Sequence, residues 1–230
     1  MLVLKINYTK HLAQAAKSVR YHAFRSREEP KDRLGAFDRR SDHANVRSFI
    51  ESLDDPITKD RKLKNGRTVQ YAKMHRLMFS LHRKEFEACG FTSWKPVIRE
   101  ALESFEKQHG IKLDWIAAEH LSAGHPHVHV DIKSVYTALD GTRHRLRFTN
   151  QMRLDLRASV ERIMERERRE RDEERRQQRE FHSAIRDITS TLLRGLRDAA
   201  RADEREAEGL PQQIRKRRQQ REHDSDDRGR

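Results

Sequence analysis

The sequence contains a single cysteine, Cys89, and has no run of about 18 apolar residues. One cysteine excludes an intramolecular disulfide and fits a reducing cytosol. Without a long apolar run there is no candidate for a membrane-spanning helix. The opening Leu2-Val3-Leu4 is followed at once by Lys5, so it is too short for a signal-peptide core. We therefore expect a cytoplasmic protein that does not insert into a membrane.

Acidic residues are too few to balance the basic ones. Lysine and arginine number 50 against 37 aspartate and glutamate, which gives a net charge of +13 and a pI of about 10.2. This balance favours a polyanionic partner, either nucleic acid or an anionic membrane surface.

Apolar and polar residues alternate in several segments of residues 1–150, and segments with helical periodicity lie between the earlier ones. The alternation predicts about five strands, near residues 2–6, 71–81, 111–119, 127–137 and 143–148. The last three are joined too closely for parallel crossovers, so they pair as antiparallel neighbours. We predict an α+β domain over residues 1–150 with a largely antiparallel five-stranded sheet.

The character of the chain changes after residue 150. Residues 151–209 combine a nearly wholly charged segment, 165–180, with apolar positions at helical spacing, which predicts a long charged and amphipathic helical extension. Gly209 to Pro211 predict its end, and residues 210–230 are typical of a disordered tail. The apolar positions between Phe181 and Leu196 can pack on a partner or on a second copy of the helix.

Residues 120–131 read His-Leu-Ser-Ala-Gly-His-Pro-His-Val-His-Val-Asp. His127 and His129 are two residues apart, so on a strand they point to the same face. His120 precedes them by seven residues, and the small residues between allow a loop that returns it to the pair. Three histidines that leave a coordination position open are typical of a catalytic metal site.

An isolated histidine on a strand is more often a hydrogen-bonded structural residue than a ligand. Three imidazoles within ten residues, two of them on one face, favour the metal site instead. Pro126 interrupts the strand between His125 and His127, so we interpret His125 as a neighbour and not as a ligand.

Four tyrosines are present, and Tyr21 has the best setting for a nucleophile. It lies on a predicted helix, about 200° around from Val19 of the apolar stripe, and therefore points away from the core. Arg20 and His22 flank it, and Arg25 at i+4 can hold a phosphate with its planar guanidinium. A phenol with a pKa near 10 needs a metal and nearby cations to attack a phosphodiester.

The order His-x6-His-hydrophobe-His resembles the three-histidine motif of HUH endonucleases, and a tyrosine before it resembles the relaxases among them. Rolling-circle replication initiators instead carry the tyrosine after the histidines with a lysine four residues on, whereas Tyr136 is followed at that distance by Asp140. Residues 20–28, which read Arg-Tyr-His-Ala-Phe-Arg-Ser-Arg-Glu, are similar to a segment of the MobL-type relaxases. Similarity to the same family extends to residues 75–81, 113–117 and 124–130.

The resemblance implies that Tyr21 attacks the scissile phosphodiester and keeps the 5′ phosphate as a phosphotyrosine. It implies a divalent ion, Mg²⁺ or Mn²⁺, on His120, His127 and His129. The expected substrate is single-stranded or supercoiled transfer-origin DNA of a plasmid or integrative element. The expected partners are a type IV secretion coupling protein or an accessory mobilisation protein.

Arg20, Arg27 and Arg76 lie in the resembling segments, and we expect them to contact DNA. Many relaxases carry an aspartate two residues after the first histidine, where this chain has Ser122. Glu119 or Asp131 are candidates to orient the ligands in its place. His22 is a candidate acceptor for the phenol proton, although a solvent-facing histidine is the more common reading.

Two other functions remain open. The same fold serves HUH replication initiators and transposases, and a gene neighbourhood without transfer functions would favour these. A protein of another class, a non-catalytic DNA-binding protein with a structural zinc ion, also fits the histidine cluster.

Overall fold

The computed structural model describes residues 1–24, 35–121 and 124–226. The chain divides into two units, Met1–Arg171 and Asp172–Arg230. Among the described residues, no helix is both long enough and apolar enough to cross a bilayer.

The first unit is built on an antiparallel sheet of five strands. The strands of this unit are β1 Val3–Thr9, β2 Arg61–Lys62, β3 Thr68–Val69, β4 Met74–Ser80, β5 Ile111–His120, β6 His127–Ala138 and β7 Arg143–Arg145. The order in the five-stranded sheet is β1-β4-β6-β5, with β7 paired to the end of β6, and the short strands β2 and β3 form a separate hairpin. The predicted α+β class with a five-stranded antiparallel sheet is confirmed.

In the described part of the chain, five α-helices and a 3-10 turn at Pro56–Thr58 accompany the sheet. They are α1 Leu12–Phe24, α2 Val46–Ser52, α3 Arg83–Ala88, α4 Lys95–His109 and α5 Asn150–Asp226. The limits of α4 follow from its sequence, because Pro96 occupies its first turn and Gly110 ends it in the left-handed conformation at φ 63°.

The two faces of the sheet have different roles. One face, which we call the α4 face, carries Leu77, Phe79 and Val130 and forms the main core with α4 and the start of α5. The other, the α1 face, buries Met74 and Ile116 against α1 and α2. Each fully buried side chain of this size stabilises the fold by about 1.5–3 kcal/mol. Strand alternation therefore turns His127, His129 and Asp131 towards the α1 face.

The second unit consists of the helical residues from Asp172 onwards. The apolar positions predicted there are all exposed: Phe181, Ile185, Ile188, Leu192, Leu193 and Leu196. Helix α5 continues past Gly209 and Pro211, the predicted end, to Asp226. Strong helix formers on both sides of that interruption account for the difference. The division of residues 151–230 into an extension and a tail stays a prediction.

His75 is buried on the α4 face, and its protonation links stability to pH. Its Nδ1 lies 2.9 Å from Ser134 Oγ, and the ring meets Phe148 edge to face. Burial lowers the pKa of His75 to about 4 from an ordinary value of 6.5. The unfolded chain therefore binds the extra proton between these two pH values, and stability present above pH 6.5 is lost as the pH falls towards 4.

We expect His75→Gln to reduce the loss of stability on acidification. Between pH 7.5 and 5 the free energy of unfolding of the unchanged protein should fall by about 2 kcal/mol more than that of the variant. Urea denaturation at the two pH values measures this difference. An equal loss in both proteins would show that His75 does not stay neutral in the folded state.

Candidate functional site

The three predicted ligands meet at one end of the sheet. His120 is the last residue of β5 and pairs across the strands with His127, the first residue of β6. The ring centroids are 5.0 Å apart for His120 and His127, 5.3 Å for His120 and His129, and 5.2 Å for His127 and His129. The three imidazoles, which we call the histidine triad, therefore form one cluster on the α1 face.

Helix α1 adds a fourth histidine to this cluster. The ring of His22 stacks on His129 with centroids 4.1 Å apart and planes 6° from parallel. Its Nδ1 lies 2.8 Å from Asp131 Oδ2, and its backbone carbonyl lies 3.1 Å from His120 Nε2. The His22 side chain is only 11% exposed, so the expectation of a solvent-facing histidine was wrong. These contacts hold the end of α1 against the triad.

Tyr21 precedes His22 and lies on the same helix turn. Its ring centroid is 6.0 Å from that of His22, and the residue is 49% exposed. The side chain therefore points away from the apolar stripe, as the helical spacing predicts. Because α1 crosses the α1 face, the helix turn that carries the phenol lies on the same side of the sheet as the triad.

Burial controls the protonation of His129. Desolvation is the main cause that lowers the pKa of this imidazole to about 2, and the neighbouring histidines and Arg76 act in the same direction. His129 is therefore neutral at physiological pH, the form in which an imidazole binds a metal. His127 Nδ1 lies 3.0 Å from the carbonyl oxygen of His125 and donates to it, which leaves the lone pair on Nε2.

The triad fits a divalent ion in residue type and ring spacing. Imidazoles that share one ion at a metal–nitrogen distance near 2.1 Å have centroids about 4.5–5.5 Å apart, and the triad has this spacing. As the described side chains stand, however, no three His, Cys, Asp or Glu residues are arranged to hold an ion. One reason is that His120 Nε2 is turned towards the carbonyl of His22.

Asp131 is the carboxylate beside the triad. One oxygen binds His22, and the other, Oδ1, is buried without a hydrogen-bond partner among the described residues. A buried lone carboxylate oxygen is costly unless a donor or a cation satisfies it. Asp131 thus contacts the triad through His22, and its role in orienting the ligands stays a prediction.

Glu119 does not have this position, and its predicted role beside the ligands was wrong. Its Oε2 accepts hydrogen bonds from Ser93 Oγ at 2.8 Å and from the backbone N–H of Trp94 at 2.7 Å. Strand alternation turns it to the α4 face, where it binds the free N–H at the start of α4. The carboxylate therefore anchors a helix.

The predicted DNA-contacting arginines are placed unequally. Arg76 is half-buried on β4, next to Asp131 in the strand register, and its Nη1 lies 3.4 Å from Ser18 Oγ. Arg20 is exposed on α1. Arg25 and Arg27 lie outside the described residues, as does Ser122.

No protein-family model matches the chain, and no curated protein matches it. The solved structures that resemble it include complexes of the conjugative relaxase TrwC with oriT DNA. A metal-bound complex has 14% identity and a TM-score of 0.47, and the match covers 74% of this chain and 70% of that one. A copper-bound complex has 13% identity, the same coverages and a TM-score of 0.49. A metal-free complex has 13% identity and a TM-score of 0.43 and covers 72% and 70%. Similarity of this extent concerns the fold and assigns no role to any residue.

Proposed function

We propose that the chain is a metal-dependent relaxase that nicks one strand of transfer-origin DNA with Tyr21 and religates it later. The observation that carries the proposal is the stacking of His22 on His129 at 4.1 Å. This contact joins the tyrosine-bearing turn of α1 to a cluster of three imidazoles. A phenol, three imidazole ligands and a basic surface are the parts that phosphodiester transesterification requires.

In the proposed reaction, Tyr21 Oη attacks the phosphorus and the bond to the 3′ oxygen breaks. The phenol proton leaves, the 3′ oxygen takes up a proton, and the 5′ phosphate stays on the tyrosine. One phosphodiester replaces another, so the bond energy is kept and the free 3′ hydroxyl can reverse the step. His120, His127 and His129 would hold the divalent ion, Mg²⁺ or Mn²⁺, which would polarise the phosphate and neutralise developing charge.

The chain's own residues supply the rest of the site. Asp131 fixes the ring of His22 through its 2.8 Å hydrogen bond, and that ring sits between the triad and Tyr21. We propose that this pair positions the phenol and that His22 accepts its proton. Arg76 on the same face, together with Arg20, Arg25 and Arg27, would hold DNA phosphates.

Finer assignments rest on sequence resemblance. Residues 20–28 support the MobL type of relaxase, and with it a mobilisation or conjugation role on a plasmid or integrative element. A type IV secretion coupling protein or an accessory mobilisation protein is the partner we propose for the full complex.

The test is to map the covalent adduct. The protein is incubated with Mn²⁺ and with DNA that carries the sequences flanking its own gene, supplied either as a plasmid or as single strands. It is then digested with trypsin. Cleavage after Arg20 and Arg25 leaves Tyr21 to Arg25 as one peptide, and we expect the nucleotide mass on it. Nicking without an adduct would indicate hydrolysis instead. DNA binding with bound zinc and no nicking would favour the non-catalytic alternative.

A further inference from the structure

A second concave site lies on the opposite face of the sheet from the histidine triad. It is a cavity of about 430 Å³ between the ends of β1 and β4 and the segment that follows β7. Tyr8 pairs with His75 across β1 and β4, and both belong to the α4 face. The volume is within the range of about 300–1,000 Å³ that is usual for small-ligand sites. We call it the β1 pocket.

The rim of the β1 pocket is positively charged. Lys10, Arg145 and Arg147 line it, and no carboxylate is among the described residues that do. None of these three side chains forms an ion pair with a described carboxylate. Arg145 lies over the ring of Tyr71, 3.9 Å from its centroid, which orients the guanidinium by a cation–π contact. Unneutralised cations around a concavity attract an anion, and they do so more strongly than on a flat surface.

The walls of the same pocket are aromatic. Tyr8 is 59% exposed although it lies on a strand of the central sheet, and Lys10 approaches its ring. The floor is formed by His75 and Phe148, whose rings meet at 5.3 Å. Ser134 binds His75 Nδ1, and Nε2 forms no hydrogen bond with any described residue. An exposed aromatic face with an unused ring nitrogen beneath it suits a flat heterocycle that also needs a hydrogen bond.

A larger cavity of about 490 Å³ beside Lys133 lacks this character. Three of its five cations are already neutralised, because Arg39 binds Glu106 at 2.5 Å and both Lys133 and Arg143 bind Asp55. Its aromatic lining residue, Trp115, is buried. Of these two cavities, the β1 pocket alone combines unneutralised cations with exposed aromatic rings.

We infer that the β1 pocket binds a nucleotide, with its base stacked on Tyr8 and its phosphate held by Lys10 and Arg147. The nucleotide is either part of a single DNA strand or a free mononucleotide, and both present the same chemistry. The site lies apart from the triad and requires neither metal nor Tyr21, so it goes beyond the proposed nicking function. For a DNA-processing enzyme it would hold the strand at a second point.

The test measures binding where nicking cannot occur. The full chain carrying Tyr21→Phe is titrated in EDTA with a fluorescein-labelled twelve-residue oligothymidylate, and binding is followed by anisotropy. Lys10→Gln combined with Arg147→Gln should weaken binding about tenfold and lower the salt slope by about 1.4, or 0.7 for each phosphate contact. Tyr8→Leu should weaken binding about fivefold or more, by loss of one stacked base.

The control is Arg47→Gln combined with Lys107→Gln, which removes the same charge from exposed positions paired with Glu51 and Glu103. Its affinity should change less than about twofold, with the salt slope unchanged. Equal effects of the two double variants on affinity and slope would overturn the proposal. Displacement of the oligonucleotide by millimolar thymidine monophosphate identifies a free nucleotide as the ligand, and its absence identifies the strand.

A second measurement does not depend on the stability of the variants. An oligonucleotide that contains 5-iodouracil is irradiated with the otherwise unchanged protein, and the crosslinked peptide is sequenced. Cleavage after Lys5 and Lys10 isolates Tyr8 within residues 6–10. Crosslinking to that peptide supports the β1 pocket, and crosslinks confined to other peptides contradict it. Both binding measurements can fail while the adduct on Tyr21 still forms, and both can succeed when no adduct forms. The nucleotide site and the proposed nicking function are therefore tested separately.

Discussion

Replacement of Tyr21 with phenylalanine is expected to abolish the covalent protein–DNA adduct and to reduce nicking at least about a thousandfold. The substitution removes one oxygen atom, which in the proposed reaction is the atom that attacks phosphorus. Because Tyr21 is 49% exposed on a helix surface, the change should alter stability by less than about 0.5 kcal/mol. Denaturing gel electrophoresis of radiolabelled DNA measures the adduct, and relaxation of supercoiled plasmid measures nicking.

Tyr136 provides the matched control. It lies on β6 with its ring 5.5 Å from that of His144, and it follows the histidines, where replication initiators carry their nucleophile. Tyr136→Phe should leave both readouts within about twofold of the unchanged protein. An adduct that survives Tyr21→Phe and disappears with Tyr136→Phe would reassign the nucleophile and move the protein to the initiator class.

Loss of one triad histidine is expected to weaken binding of Mn²⁺ at least about a hundredfold, because one of the three proposed protein ligands is removed. His127→Ala is the most informative variant, since this side chain is only half-buried and its removal disturbs the core least. Free Mn²⁺ is followed by its electron paramagnetic resonance signal, and nicking should decrease in parallel with the loss of bound ion. A thermal melt without metal shows whether the variant is folded.

His125→Ala distinguishes a ligand set from a general loss of imidazole. His125 is exposed and contacts His82 ring to ring, and only its backbone carbonyl reaches His127. The variant should therefore keep its affinity for Mn²⁺. Equal losses in the two variants, or a loss in neither, would exclude the triad as the metal site.

Local sequence patterns were sufficient to predict much of this structure. Alternation predicted the strands of the sheet, and the period of two on β6 predicted that His127 and His129 share a face. The apolar spacing of α4 and its ending at Gly110 also followed from the sequence. These features depend on neighbours within a few residues, where backbone geometry alone determines which way a side chain points.

The features that were missed depend on distant contacts or on weak signals. Glu119 binds the start of α4, about 25 residues away in the chain, and no local pattern reveals that partner. The hairpin of β2 and β3 has only two residues in each strand, although Asn65-Gly66 at its turn is a known hairpin signal.

The burial of His22 could have been predicted. It lies seven residues after Ala15 and three after Val19, which places it on the buried stripe of α1. Its partner Asp131 could not be predicted, because the hydrogen bond joins residues 109 positions apart.

Helix α1 rests on the sheet through very small side chains. Ala15 is fully buried and Ala23 nearly so, and Val19 is buried between them. Interiors are close-packed, so a bulkier group at either alanine has no room and must lift the helix. The position of the Tyr21 hydroxyl relative to the triad therefore depends on two buried methyl groups. If Tyr21 is the nucleophile, as proposed, larger side chains at these two alanines would reduce nicking while leaving every proposed reacting group unchanged.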